Sequence, residues 1–300
     1  MRNFIAKFHK ILDICKSFAP ECVNSKGNVT RRGVVPKFSD LEVVALSLTA
    51  EASGIDSENF LFKRLNSECA GEIAGLISRR QYNQRRKQTS KLCETIRKSI
   101  ARAMDGGEFV FCVDSKPVAA CRNARAGRCA MGRSDPDKAP AWGYCASQRM
   151  FYYGYKLHAL CGTSGVIHSF DMTAANVHDI NYLNDLKWEY RDCLIIGDKG
   201  YLSASVRQNL FDYANITLDV PYRLNQKDWV PPSDEYRRFR KRIETGFSQL
   251  DDTFMMVRNY AKQTAGLFTR AAAKIAAFTM MQYFNFLNGK PIGRVKYASF

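Results

Sequence analysis

The sequence predicts an α/β protein in which an all-helical N-terminal domain precedes a mixed β-sheet flanked by helices. Two capping-box patterns and helical spacing of apolar residues mark the first hundred residues. Short β-rich runs begin only after the turn at Gly106-Gly107. We therefore place the domain boundary at this turn, with residues 1–106 forming the helical domain and residues 107–300 forming the α/β domain.

The composition favours a polyanionic partner. Lys and Arg number 45 against 29 Asp and Glu, which leaves a formal charge of +16 and attracts nucleic acid or an anionic membrane. The membrane hypothesis lacks an anchor, because residues 1–18 form an amphipathic segment rather than a signal peptide and the apolar run 275–287 is shorter than the roughly 20 residues of a membrane span. Ten cysteines without a regular framework predict reduced thiols in a cytoplasm.

The helical domain contains the first candidate nucleic-acid-binding element. Each capping box, Ser39-x-x-Glu42 and Ser78-x-x-Gln81, places two side chains where they can satisfy free N–H groups. From residue 78 to residue 104, apolar residues recur at helical spacing and basic residues cover the remaining faces. We expect one basic amphipathic helix that contacts DNA, and a solvated basic face remains the alternative. Its candidate contacts include Arg79, Arg80, Arg85 and Arg86.

The α/β domain is predicted to have the element order βββαβαβα. This order, three antiparallel strands followed by two helix–strand crossovers, is that of the ribonuclease-H-like (retroviral-integrase-like) fold, a mixed sheet in which the first and fourth strands are neighbours. Glycines at 162 and 165 predict a hairpin between the second and third strands. The predicted strands are 108–113, 151–161, 166–172, 193–196 and 216–220, and the predicted helices are 178–190, 203–213 and 234–250.

A long basic insertion, residues 115–150, separates the first two predicted strands. Ordered loops of this length inside a domain are uncommon and often functional. We expect this loop to bind DNA, mainly through Arg122, Arg125 and Arg128.

Three carboxylates occupy positions from which they can meet. Asp114 follows the first predicted strand, Asp198 follows the apolar fourth strand, and Glu244 lies on the last long helix. Clustered carboxylates repel one another unless cations bind, and hard oxygen ligands suit Mg²⁺ or Mn²⁺. Two such ions can activate the attacking oxygen and stabilise the leaving oxygen in phosphodiester displacement.

Simpler interpretations of the same three residues remain open. An aspartate after a strand is commonly a turn or cap residue, and this applies to Asp114 and Asp198. Glu244 could pair with Arg240 one turn earlier on the same helix.

Five segments follow one another along the chain: FCVDSKPVAAC, YYGYKLHAL, TAANVHD, GDKGY and RKRIETGF. In order and spacing, they resemble the catalytic core of bacterial insertion-sequence transposases of the DDE type. The similarity is greatest to the insertion sequence 982 family and covers residues 108–250 most strongly. Relatives commonly carry a Lys seven positions after the glutamate, whereas this chain has Asp251, so the broader group's DNA-end contacts are not transferred to this helix.

The resemblance implies that Asp114, Asp198 and Glu244 bind two Mg²⁺ ions, which Mn²⁺ can replace. It further implies that the helical domain binds the DNA ends and that a homodimer or higher oligomer assembles on DNA in a bacterial cytoplasm, at the nucleoid. We interpret His158 as a site residue or a packed strand residue and Asp179, of the NVHD segment, as an N-terminal helix residue. The implied substrate contacts are Lys156, His158, Lys199, Tyr201 and Arg240.

The resemblance implies Mg²⁺-dependent cleavage at the element's ends, which frees 3′-hydroxyls, followed by their attack on target DNA. Two alternatives remain: a catalytically idle DNA-binding protein derived from a transposase, and a ribonuclease-H-like nuclease that cuts without joining. The products of a cleavage and joining assay distinguish all three hypotheses.

Overall fold

The computed structural model describes residues 2–222 and 229–299, which form two compact units. The helical unit comprises Met1–Met104, Gln249–Ala261 and Ala265–Phe300. The α/β unit comprises Asp105–Ser248 and Lys262–Thr264. The C-terminal residues thus belong to the same compact unit as the N-terminal helices. The functional division between residues 106 and 107 stays a prediction.

Six helices build the described part of the helical unit, and both predicted capping boxes are confirmed. Ser39 accepts a hydrogen bond from the Glu42 backbone N–H at 3.2 Å, and the Glu42 carboxylate accepts from the Ser39 N–H at 2.5 Å. Ser78 and Gln81 form the same reciprocal pair. The helices are α1 (Arg2–Ser17), α2 (Asp40–Ala52), α3 (Glu58–Glu68), α4 (Arg79–Gln88), α5 (Ser90–Asp105) and α9 (Thr264–Leu287).

The single helix predicted for residues 78–104 is wrong, because α4 and α5 are separate helices joined at Thr89. The Thr89 N–H donates to the Arg85 carbonyl, and its hydroxyl donates to the same oxygen at 3.0 Å. A hydroxyl residue that satisfies helix-terminal carbonyls favours an end to the helix. The basic and apolar faces therefore lie on two shorter helices.

The C-terminal helix α9 is tied to the helical unit by buried charges. Lys274 Nζ donates to the Glu51 carboxylate of α2 at 2.9 Å and to the Phe254 carbonyl. Glu51 also accepts from Arg86 of α4 at 2.6 Å. Burial lowers the pKa of Lys274, although the neighbouring Glu51 opposes this shift. Within the described part of the chain, no helix is both long and apolar enough to span a membrane.

The α/β unit is built on a mixed sheet whose path is β2-β3-β1-β5-β6, and β4 also pairs with β3. β1 pairs antiparallel with β3 and parallel with β5, and β5 pairs parallel with β6. The predicted neighbour relation of the first strand and the strand before Asp198 is therefore confirmed. The strands are β1 (Val110–Ala119), β2 (Ala141–Cys145), β3 (Met150–Gly162), β4 (Ile167–Ala174), β5 (Leu194–Ile196) and β6 (Thr217–Asp219).

Two features of the predicted insertion need correction. The first strand does not end before Asp114 but continues to Ala119, paired with β3 throughout. The insertion also contains a strand, β2, that was interpreted as part of a loop. The segment between Ala120 and Pro140 remains without strands among the described residues.

Helices cover both faces of the sheet at its central strands. On one face, α6 (Ile180–Leu186) and α7 (Ala204–Ala214) pack with Val113 and Leu160 in the main apolar cluster. On the other face lies α8 (Asp234–Asp252), whose Arg240 contacts Asp114. Residues of β1 alternate between these faces, so Asp114 and Ser115 point to opposite sides of the sheet.

Candidate active site

Asp114 and Asp198 occupy equivalent positions on two adjacent parallel strands. The last register pair of β1 and β5 is Cys112 with Ile196, and each aspartate lies two residues further along the chain, Asp114 within β1 and Asp198 beyond the end of β5. Neighbouring strands lie about 4.8 Å apart. The two carboxylates therefore emerge side by side at the carboxyl end of the parallel pair, as the element order predicts.

Asp114 is largely buried and has two polar partners. Its Oδ1 accepts from the Ser115 N–H at 2.8 Å, and its Oδ2 accepts from Arg240 Nη2 at 3.2 Å. Burial raises the pKa of Asp114 to about 6, and the negative charges of Asp198 and Glu244 add to the rise, against the effect of Arg240. The three carboxylates therefore act electrostatically on one site.

Asp198 also has the geometry of a turn or cap residue, which is the simpler interpretation of its position. Its Oδ1 accepts from the Gly200 N–H at 2.8 Å at the start of a short 3-10 helix, Lys199–Tyr201. The preceding Gly197 carbonyl accepts from the Tyr236 hydroxyl of α8 at 2.6 Å. This bond fixes α8 against the end of β5. The bond from the Gly200 N–H caps the 3-10 helix and also holds the Asp198 carboxylate in position.

Glu244 lies at the exposed edge of α8, beside a buried apolar stripe that includes Ile243 and Phe247. Its carboxylate is 3.5 Å from Arg240 Nη2, and its side chain is 56% exposed. Arg240 thus contacts both Glu244 and Asp114 with one guanidinium nitrogen. Burial disfavours the charged form, but Asp114, Tyr236, Asp198 and Glu244 together hold the pKa of Arg240 above its usual value.

The donor chemistry of the site fits a hard divalent cation, and the geometry includes a competing charge. Three carboxylates are the oxygen ligands that Mg²⁺ and Mn²⁺ prefer. Among residues 2–222 and 229–299, however, no group of three His, Cys, Asp or Glu side chains is arranged to hold a metal ion. The Arg240 guanidinium lies between Asp114 and Glu244, so binding of a cation by all three carboxylates requires this side chain to move.

Asp179 was missed as a site residue by sequence reasoning. It directly precedes α6, which confirms its interpretation as an N-terminal helix residue, although its side chain makes no capping bond to the described residues of that helix. Its Oδ1 accepts from Ser115 Oγ at 3.0 Å and from Lys156 Nζ at 3.0 Å. Lys156 also donates to the Val177 carbonyl at 2.8 Å. The NVHD segment was the available signal, since it places an aspartate at a fixed distance after β4.

The other residues predicted near the scissile phosphate differ in accessibility. His158 is fully buried, its Nε2 is 2.8 Å from Thr173 Oγ1, and its ring stacks on Tyr182. Burial lowers the pKa of His158, although Asp179 opposes the shift. Tyr201 is also buried, whereas Lys199 is exposed. The structure therefore places His158 and Tyr201 in the packing beneath the site and Lys199 at its surface.

The predicted DNA-contacting arginines fall into two groups. Arg86 forms buried ion pairs with Glu51 and Glu58, and Arg85 is paired with Asp40. These two side chains have partners inside the helical unit. The exposed group contains Arg79, Arg80, Arg122, Arg125 and Arg128.

The sheet and its carboxylates define a basic α/β protein with an acidic site at the end of two parallel strands. Residues 105–280, more than half of the chain, match the family model described as "Transposase DDE domain". The chain belongs to this family, which supports a transposase function in DNA recombination. No curated protein and no solved structure matches the chain significantly.

Proposed function

We propose that this protein cleaves DNA at the ends of an insertion sequence and joins the freed 3′ ends to target DNA. The observation that carries the proposal is the matched position of Asp114 and Asp198 beyond the parallel β1–β5 pair. Glu244 completes the acidic site from α8, where Arg240 links it to Asp114. Membership of the DDE transposase family supports the same triad.

The proposal includes a ribonuclease-H-like fold for the α/β unit. Its support is the order of β1, β3 and β4 as an antiparallel set followed by two helix–strand crossovers to β5 and β6. The strand β2 is then an addition inside the insertion. The particular similarity to the insertion sequence 982 family remains part of the proposal.

Asp114, Asp198 and Glu244 would hold two Mg²⁺ or Mn²⁺ ions. When bound, such ions activate an attacking oxygen and stabilise the leaving oxygen of a phosphodiester. The chain's own contribution begins with two requirements. Asp114 must be in its ionised form, which its raised pKa of about 6 disfavours below that pH, and Arg240 must withdraw from Asp114 Oδ2. A withdrawn Arg240 remains close enough on α8 to bind a phosphate oxygen of the substrate.

DNA binding is proposed to depend on exposed basic side chains of both units. Arg79 and Arg80 begin α4, and Lys199 lies next to Asp198. The insertion adds Arg122, Arg125 and Arg128. Such side chains neutralise phosphates and position the duplex without reading its sequence. Assembly as a homodimer or higher oligomer on DNA, and a nucleoid-associated location in a bacterial cytoplasm, belong to the same proposal.

Purified protein incubated with Mg²⁺ and a labelled duplex that carries the element's terminal repeat tests the proposal. We expect nicked ends and, with a supercoiled target plasmid, joined products. Cleavage without joining would identify a nuclease. Duplex binding with neither product, in Mg²⁺ or Mn²⁺, would identify an idle DNA-binding derivative.

A further inference from the structure

Two cross-strand aromatic pairs lie on one face of the hairpin of β2 and β3. Trp142 is opposite Tyr153, with ring centroids 5.5 Å apart, and Tyr144 is opposite Phe151, with centroids 5.0 Å apart. Alternate residues of a strand share a face, so the four rings form one continuous surface. We name these four residues the aromatic ladder.

The exposure of the aromatic ladder is not explained by packing within the hairpin. Trp142, Tyr144 and Phe151 are 49%, 52% and 63% exposed. The intervening residue Tyr152 points to the opposite face, where it is buried with Cys145 and Ala175. The hairpin thus has a packed face and an exposed face, and the large rings lie on the exposed one. Exposed aromatic patches commonly mark binding surfaces.

The surroundings of the aromatic ladder are strongly basic. The insertion, residues 115–150, contains seven basic residues and two acidic ones. Its 3-10 helix, Asn123–Arg128, is fixed to β3 because Asn123 Nδ2 donates to the Phe151 carbonyl at 2.8 Å. Arg125 and Arg128 of this 3-10 helix are exposed. Rings that can stack on bases therefore lie beside guanidinium groups that can hold phosphates.

We propose that the aromatic ladder binds unpaired bases of a DNA strand by stacking, while the neighbouring arginines hold the phosphates of that strand. Aromatic side chains combined with a positively charged surface are the chemistry by which proteins bind single-stranded nucleic acid, because every base has a π-face. A second copy of this chain is the less suitable occupant, since its basic insertion would meet an identical basic insertion.

The aromatic ladder lies on the same sheet face as the candidate active site. Asp114 is the register partner of Ala159, and Tyr153 lies six residues from Ala159 along β3, an even number. At a rise of about 3.4 Å per residue, the separation is roughly 20 Å. This is similar to six stacked bases at about 3.4 Å each. If the proposed function holds, the aromatic ladder engages unpaired DNA several nucleotides from the scissile phosphate.

Anisotropy titrations with a labelled (dT)20 strand and a labelled 20-base-pair duplex test this proposal. For Trp142→Ala/Phe151→Ala we expect the affinity for (dT)20 to fall tenfold or more, with the duplex affinity changed less than twofold. Trp188→Ala is the matched control, because Trp188 is an exposed ring of the same unit that pairs with Tyr213. It should leave both affinities unchanged. Trp142→Phe/Phe151→Tyr should retain (dT)20 binding, which excludes general misfolding.

Three results with the double alanine variant would overturn the proposal. These are an unchanged affinity of the double alanine variant for (dT)20, an equal loss for strand and duplex, and a loss of self-association with (dT)20 binding intact, which would show a surface for a second copy. Asp198→Asn separates this proposal from the proposed function. If that variant still cleaves DNA, the catalytic assignment fails while the stacking result stands. Wild-type protein that binds the duplex but not (dT)20 overturns only the aromatic-ladder proposal.

Discussion

Arg240 Nη2 lies 3.2 Å from Asp114 Oδ2, so a protein cation occupies the place where the proposed chemistry requires metal ions. Replacing this arginine with Gln removes the competing charge. Divalent cations should then bind more tightly, because the attraction of the carboxylates is no longer partly neutralised.

We expect Arg240→Gln to increase Mn²⁺ affinity about tenfold in calorimetric titrations at neutral pH. Arg237→Gln is the matched control on the same helix, because Arg237 pairs with the exposed Asp234 and not with the site. Equal Mn²⁺ affinities in wild type and Arg240→Gln would show that Arg240 does not compete with the metal.

The raised pKa of Asp114 predicts a pH-dependent loss of stability without metal. Its folded-state pKa is about 6, above the ordinary aspartate value of about 4, so the folded protein holds this proton more tightly than the unfolded chain does. Ionisation therefore destabilises the fold as pH rises from about 4 to about 6. Relative to Asp114→Asn, wild type should lose about 2–3 kcal/mol of unfolding free energy between pH 4 and pH 7 in EDTA. Parallel urea titrations would contradict this if the difference is independent of pH.

Asp198→Asn tests the second proposed ligand. The amide retains an oxygen that can accept from the Gly200 N–H, so the turn and the fold should survive. Loss of the charge should abolish cleavage and joining, while duplex binding is retained or improved because the phosphates meet less repulsion. Thermal melting, duplex binding and Mg²⁺-dependent cleavage are measured on one preparation. Cleavage at the wild-type rate excludes Asp198 as a ligand, and failure to fold assigns it a capping role alone.

The two groups of α4 arginines should give opposite phenotypes. Arg86→Ala removes a buried cation that contacts Glu51, and breaking such a buried ion pair costs about 3–5 kcal/mol of stability. Arg79→Ala/Arg80→Ala should leave the melting temperature unchanged. If both side chains contact phosphates, the double variant should also reduce the slope of log affinity against log salt by about 2. A normal salt slope would favour the interpretation of a solvated basic face.

The Lys156–Asp179 pair should be energetically coupled. Both side chains are mostly buried, and their atoms are 3.0 Å apart. In a double-mutant cycle of Lys156→Ala and Asp179→Ala, we expect a coupling of about 1–2 kcal/mol in unfolding free energy. Lys187 and Asn209 form an exposed pair that serves as a control cycle with little coupling. Additive effects at Lys156 and Asp179 would show that the contact does not stabilise the fold.

Strand adjacency was predictable from the sequence because it depends on element order, which periodicity reveals. The extension of β1 to Ala119 could not be predicted, because Pro117 lacks an N–H donor and ordinarily argues against a strand. It is tolerated because β1 beyond Cys112 pairs with β3 alone. The strand β2 was missed because Ala141–Cys145 is short and contains a glycine.

The three proposed ligands could also be predicted from the sequence, since each belongs to a recognisable segment. The partners of the arginines could not be predicted. Basic residues on a helix give the same pattern whether they face solvent or a buried carboxylate, and only tertiary packing pairs Arg86 with Glu51. Asp179 is similar, because its bonds to Ser115 and Lys156 join residues that are distant in sequence.

The buried contact of Lys274 with Glu51 joins residues 223 positions apart. During synthesis at about 5–20 residues per second, Lys274 is therefore added roughly 10–45 s after Glu51. The α/β segment 105–248 is continuous and can fold on the ribosome before the helical unit is complete. We expect nascent chains to pass through a stage with a finished sheet and an unfinished helical unit. The DNA-end binding proposed for the helical unit would then require that α9 has already been synthesised.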